Sequence, residues 1–278
     1  MDSDSLHSSL DLVSGGGSTL SCEQRAALQT SLIILKRNYK FSRVLFWGKI
    51  LGLRSDYFIA HGIAEDEMAN RKTLYSFNCV DWHLLPPVTE AQLTEVLLLK
   101  ERFKGDPSHE YEHTETSGLD EGDEAVVEEI TVSVVKMTEE TRLAATVLSI
   151  DREVSVVPRG AFIKTPSGRV QVNRCFEGLS ESEAGKLSSY LHFSVPQQQK
   201  KKTILEIADL DPSIDFLDNL SEDMPKGSWS LQFERGSIVV LRSLLWLGLT
   251  FFHVPMTPQH GYVYMGDGLR NHYLPFML

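Results

Sequence analysis

The apolar positions change period several times along the chain, and each change predicts a new element. After Gly15-Gly16-Gly17, Ser21 is followed three residues later by Gln24, a capping-box signature. Leu28, Leu32 and Leu35 then recur at helical spacing, so a helix is predicted to run to about Asn38. Residues 43–51, 56–63 and 72–78 are aromatic and β-branched runs separated by polar breaks, which predicts a three-strand meander. Thr89 and Gln92 repeat the capping box before Leu93, Val96, Leu97 and Leu99, predicting a second helix to about Arg102. Periodicity is lost over 105–124. It returns as a partial strand alternation at 128–135 and a helix at 139–150 with Leu143, Val147 and Ile150 on one face. Strands are predicted at 154–157 and 169–175, joined through 161–164, and Ser180 with Glu183 caps a helix to about His192. The polar run 197–202 reads as a surface loop. From 226 onward, short strands at 229–234, 237–246, 249–254 and 262–265 alternate with Gly or Pro turns, predicting a small antiparallel sheet.

The fold class read from this pattern is α+β, mainly antiparallel sheets with several amphipathic helices. Residues 1–20 are expected to be a flexible segment, 21–104 an N-terminal α+β part, 105–127 an acidic loop and 128–278 a C-terminal α+β part ending in antiparallel strands. The pattern leaves open whether the two parts form one integrated domain.

Charge sharpens this picture in one place. Of 38 acidic residues, ten lie in 106–129, a stretch without Lys or Arg, which leaves 28 acids against 27 bases elsewhere. A balanced body without clustered cations argues against a nucleic-acid surface, which must displace counterions from phosphate. The most apolar stretch, 238–254, carries Arg242 and His253 and falls short of the ~20 apolar residues that a membrane span needs, so it reads as buried strand. The first 18 residues are Ser-rich and acidic and lack a signal-peptide pattern. Cys22, Cys79 and Cys175 are odd in number and far apart, which favours neither a disulfide framework nor a zinc knuckle and points to a reducing compartment.

Candidate chemistry is sparse. His109, Glu110, Glu112 and His113 form the densest set of potential metal ligands, but they fall on the predicted acidic loop, where solvation is easier than assembling an oriented ligand shell. No Ser sits in a Gly-flanked elbow, no Cys neighbours a base, and the Gly-rich runs lack the strand–loop–helix context of a phosphate site. No catalytic, cofactor-binding or metal-ligating residue is therefore assigned. The feature that stands out is aromatic and apolar density toward the C terminus. Trp246, Phe251, Phe252, Tyr262, Tyr264, Pro275, Phe276, Met277 and Leu278 are taken as a candidate partner interface, with the final residues either docking on the body or covered by a neighbour.

Seven separated blocks carry a resemblance. Arg43-Val-Leu-Phe-Trp-Gly48 with Ile50-Leu-Gly-Leu53 and Asp56-Tyr57, Gly105-Asp-Pro-Ser108 with Glu110-Tyr-Glu-His113, and Pro158-Arg-Gly160 form the first three. Val172-Asn-Arg174 with Phe176-Glu-Gly-Leu179, Pro225-Lys-Gly-Ser-Trp229, Val240-Leu-Arg-Ser-Leu-Leu-Trp246 and Leu274-Pro-Phe-Met-Leu278 complete the series. In this order, over nearly the whole chain, they resemble the axonemal radial spoke head component family. Leu247 stands where that pattern leads one to expect Pro, and the 197–202 loop looks particular to this chain.

The resemblance implies a non-catalytic structural subunit of the radial spoke head, located in the cytoskeleton of the ciliary or flagellar axoneme. Such a subunit is needed for spoke head assembly and for regulating dynein-driven bending of motile 9+2 cilia through contact with the central pair. It implies as partners the radial spoke head proteins of the 4 and 6 type, the MORN-repeat spoke head subunit and other radial spoke subunits, with the central-pair apparatus met indirectly. No cofactor, nucleic acid or membrane is implied. The alternatives are a cytosolic metal-dependent enzyme using His109 and His113, or a free adaptor protein.

Overall fold

The computed structural model describes residues 1–17, 19–115, 133–197, 203, 208 and 210–276. Helices α1 (Leu6–Val13) and α2 (Cys22–Asn38) precede strands β1 (Arg43–Ile50), β2 (Tyr57–Ile63), β3 (Lys72–Ser76) and β4 (His83–Leu84). Helix α3 (Glu90–Val96), strands β5 (Glu110–Glu115) and β6 (Ser133–Thr138), and helix α4 (Glu139–Val154) follow. Then come β7 (Val156–Pro158), β8 (Phe162–Lys164), β9 (Val170–Val172), α5 (Glu181–Ala184) and β10 (Tyr190–His192). The last strands are β11 (Trp229–Glu234), β12 (Ile238–Ser243), β13 (Leu249–His253) and β14 (His260–Gly266).

The α2 capping box forms as predicted. The Ser21 hydroxyl accepts from the Gln24 amide at 3.1 Å, and the Gln24 side chain accepts from the Ser21 amide at 3.0 Å. These bonds satisfy donors that the first helical turn leaves without partners. Leu28, Leu32 and Leu35 are all buried, each worth roughly 1.5–3 kcal/mol relative to exposure.

The meander β1–β2–β3 is also as predicted, but the C-terminal strands do not form a sheet of their own. One eight-stranded sheet runs β11-β12-β13-β14-β1-β2-β3-β4, antiparallel at every step except β14 to β1. That parallel pair, with Gly48 opposite Tyr264 and Ile50 opposite Gly266, joins strands from opposite ends of the chain, and the whole intervening sequence serves as its crossover. Gly48 is required there. It lies at the bulge of β1 with φ +147°, and an added Cβ would stand 1.9 Å from the Tyr264 carbonyl oxygen.

Both faces of the sheet are covered. On one, α1 and α2 press Leu6, Leu10, Leu28 and Leu32 onto Val44, Phe46, Val240 and Phe252. On the other, Leu143, Val147 and Ile150 of α4 pack with Trp47, Tyr57, Phe251 and Tyr264. There are also three two-stranded sheets, β5–β6, β7–β10 and β8–β9; Val156 of β7 and Tyr190 of β10 join the α4 core, and β7–β10 and β8–β9 share a smaller core around Phe162, Leu191, Phe193 and Leu217.

Several expectations need correction. The first 20 residues are not a loose leader: α1 buries Leu6, Leu10 and Val13, and the Phe46 amide donates to the Met1 carbonyl at 2.8 Å. The short apolar stripe of α1 was hidden among serines. The acidic loop is narrower than 105–127, because Glu110–Glu115 is strand β5, paired to β6; residues 116–132, and so the start of the strand expected at 128–135, lie outside the described residues. Helix α3 ends at Val96 rather than near Arg102. The Leu98 and Leu99 amides bond three residues back, tightening the turn. The helix begun at Ser180 stops at Ala184, where Gly185 follows and Tyr190–His192 pairs with β7 instead.

Candidate partner-binding surface

Phe251 and Phe252 are consecutive on β13, so they point to opposite faces of the sheet, and each is held in a different core layer. Both are at most 1% exposed, Tyr264 is 0% exposed and Trp246 2%. Of the nine residues expected at an interface, these four are therefore core and are withdrawn from it. The physical reason is that a strand covered on both faces reads as continuous apolar sequence, which a chain without three-dimensional context makes indistinguishable from a sticky surface. Tyr262 is half-buried, and its hydroxyl donates to the Asp151 Oδ1 at 3.2 Å. Pro275 and Phe276 are exposed on a short 3-10 turn, Leu274–Phe276, anchored by the buried Leu274. Met277 and Leu278 lie outside the described residues.

Polar groups do gather between the sheet and α4. Asp151 receives the Trp47 indole N–H at 2.7 Å and stands 3.1 Å from His61 Nε2, while His61 Nδ1 meets the Thr73 hydroxyl at 3.2 Å. Burial pushes the Asp151 carboxyl up, but the His61 charge and hydrogen bonds from His61 and Trp47 outweigh it and hold the group below its usual range. The order Thr–His–Asp resembles a nucleophile relay. Yet His61 is only 2% exposed, and neither of the two large clefts described below includes Thr73, His61 or Asp151. The group is a buried polar tie between β1, β2, β3, β14 and α4.

A second tie fixes the base of the acidic segment. Glu139, the first residue of α4, accepts the Tyr57 hydroxyl at 2.6 Å and the backbone amides of Lys104, Gly105 and Asp106 at 2.7, 2.7 and 2.9 Å, together with a short bond from the Tyr111 hydroxyl. Burial works against ionisation here, but those donors win and hold the carboxyl low. His109 packs edge-on against Tyr111, and His113 lies in β5. Among the described residues no group of three or more His, Cys, Asp or Glu side chains is arranged to hold a metal ion, and no helix is long and apolar enough to cross a membrane.

Exposed apolar side chains occur in several places, among them Ile33, Ile34 and Tyr39 at α2 and Phe77, Val80 and Leu84 near the β4 edge, but clefts lined by them flank the C-terminal segment 267–276. On one side, a cleft of about 630 Å³ is lined by Val195, Met224, Pro225, Trp229, Arg270 and Pro275, with Met224 80% exposed. On the other, a cleft of about 340 Å³ runs between that segment, α3 and α4, with Leu247 and Tyr273 at its rim. Phe276, 86% exposed, follows Pro275 at the end of the described chain. Of these exposed residues, sequence reasoning named Pro275 and Phe276 and did not name Val195, Met224, Leu247 and Tyr273. The departure at Leu247 from the expected Pro was the one signal pointing to this rim.

Comparison with known proteins decides the family. A family profile described as "Radial spokehead-like protein" matches residues 2–74. The chain is 67% identical over 280 residues to "Radial spoke head protein 9 homolog" of Danio rerio, covering all of both sequences. The corresponding homologues of Homo sapiens and Xenopus tropicalis are 58% identical over 279 residues and 53% identical over 280, again over the full length of each chain. The chain belongs to the radial spoke head protein 9 family. As a radial spoke head component it is a cytoskeletal protein of the ciliary and flagellar axoneme. As a radial spoke head protein it associates with other radial spoke components.

Proposed function

We propose that this radial spoke head component is a non-catalytic structural subunit that holds neighbouring subunits through the surface around residues 267–276. In that role it supports spoke head assembly and, through the head's contact with the central pair, the regulation of dynein-driven bending. The partners proposed are the radial spoke head proteins of the 4 and 6 type and the MORN-repeat head subunit. The observation that carries this reading is the segregation of apolar side chains. The aromatic strands are consumed by the core, whereas Val195, Met224, Leu247, Tyr273 and Phe276 are exposed in or beside the two clefts that flank 267–276, which no other exposed apolar group among the described residues matches in cleft volume. Apolar rims of this kind mark contact surfaces in soluble proteins.

Co-expression with a 4 or 6 type spoke head protein, followed by light scattering of the purified species, tests the proposal. A stable heteromer is expected from the unaltered chain. The double substitution Met224→Ser with Phe276→Ser is expected to dissociate it while the lone subunit keeps its thermal transition, because neither side chain is buried. A complex insensitive to that pair would move the interface elsewhere, and a chain that ignores every spoke head partner would overturn the reading.

A further inference from the structure

The smaller cleft beside the C-terminal segment contains a buried cation without an anionic partner among the described residues. Arg142 is 1% exposed, its guanidinium lies between the faces of Phe103 and Tyr111, with ring centroids 4.3 and 4.5 Å away, and one nitrogen donates to the Glu101 carbonyl. Its Nε and Nη1 have no hydrogen-bond partner among the described residues. A buried guanidinium with donors left over is costly, because desolvation is not offset. Arginine in this setting favours a carboxylate, which it meets with two parallel bonds.

The rest of the lining fits the same ligand. Lys100 is exposed at the cleft and joins no ion pair among the described residues. Arg270 is held by Glu153 at 3.0 Å, and the one acid in the lining, Asp267, accepts the Leu269 amide at 3.0 Å. With Arg270 offset by Glu153 and Asp267 set against one of the two remaining cations, the cleft keeps a net positive charge. Around them, Leu97, Leu99, Leu247 and Tyr273 supply apolar walls, and Leu247 is 54% exposed.

We infer that this cleft is a docking site for a polypeptide segment of a neighbouring spoke subunit that places a leucine-like or aromatic side chain against Leu247 and a carboxylate at Arg142 and Lys100. The inference rests on the reading of the chain as an assembly subunit and adds the chemistry of the segment that it holds. Apolar contact supplies affinity, and the carboxylate supplies register, since a segment offering an amide or a cation leaves Arg142 without compensation.

The test uses the full chain. Proteins that co-purify with it from axonemes are identified first, and overlapping 15-residue peptides covering their sequences are arrayed and probed with the purified subunit. If nothing co-purifies, the proposed assembly role has failed before the cleft is questioned. If partners are found, the retained peptides are expected to carry an apolar residue within one helical turn of Asp or Glu. Replacing that acid by its amide, or introducing Leu247→Glu or Lys100→Glu into the chain, is expected to weaken binding at least about tenfold, the loss typical of a central contact. Both positions are exposed, so an unchanged thermal transition confirms that the variants are folded. Retained peptides that are basic, retention unaffected by the two variants, or an array with no retained peptide would each overturn the docking site.

Discussion

Glu139 shows how much one side chain decides. Its carboxylate accepts from three consecutive backbone amides and two tyrosines, so Glu139→Gln keeps the shape but turns an NH₂ toward groups that are themselves donors. The substitution is expected to cost about 2–4 kcal/mol in urea unfolding at neutral pH. The sign with pH follows from the depressed carboxyl: the folded state binds fewer protons than the unfolded state near the ordinary value of 4.5. The stabilisation is therefore full above that value and lost as pH falls through the lower folded one. Glu139→Gln should flatten this acid limb while leaving the alkaline side unchanged. Asp151→Ala should be similarly harmful, by about 2–4 kcal/mol, because the buried Trp47 N–H would lose its acceptor. Neither role was legible in the sequence. Glu139 stood out only as a first-turn acid of a predicted helix, and the partners of both carboxylates arrive from 28 to 111 residues away.

At the scale of elements, local signals were the reliable ones. The capping boxes at Ser21 and Thr89 formed, since they involve atoms three residues apart, and the β1–β2–β3 meander followed from its apolar runs and short turns. What local pattern could not reveal was the pairing of β1 with β14, which depends on two segments about 200 residues apart and on a glycine at one bulge. Gly48→Ala is expected to destabilise the protein by several kcal/mol, at or above the ~4 kcal/mol that marks exceptional substitutions, because the clash is with backbone and the φ is strained. Differential scanning calorimetry reads this directly, and a variant within about 1 kcal/mol of the parent would show the parallel seam to be dispensable. Helix α1 was missed for a different reason. Its buried stripe of Leu6, Leu10 and Val13 is short and interleaved with Ser and Asp, the composition of a solvated segment. Leu10→Ala should cost about 2–5 kcal/mol if that stripe belongs to the core, whereas a flexible leader would lose almost nothing.

For the whole molecule, the seam between the first and last strands makes one sheet from both ends of the chain, with a helical layer on one face and α4 with β7 and β10 on the other. This architecture absorbs the aromatic strands and leaves two apolar-rimmed clefts beside 267–276. The fold class and the family were readable from sequence because patterning and spaced blocks survive without coordinates. Of the residues proposed at the interface, only Pro275 and Phe276 were both expected from sequence and exposed, because exposure is a property of the assembled sheet and not of a residue's neighbours in sequence. The most direct measurement is amide hydrogen exchange on the lone subunit and on the same subunit bound to a 4 or 6 type spoke head protein. Protection is expected to rise at 194–197, 223–228, 245–248 and 267–276 and to stay unchanged in β13, where Phe251 and Phe252 are already enclosed. New protection confined to the outer face of α2 or the β4 edge, with 267–276 exchanging as before, would contradict the placement of the partner surface.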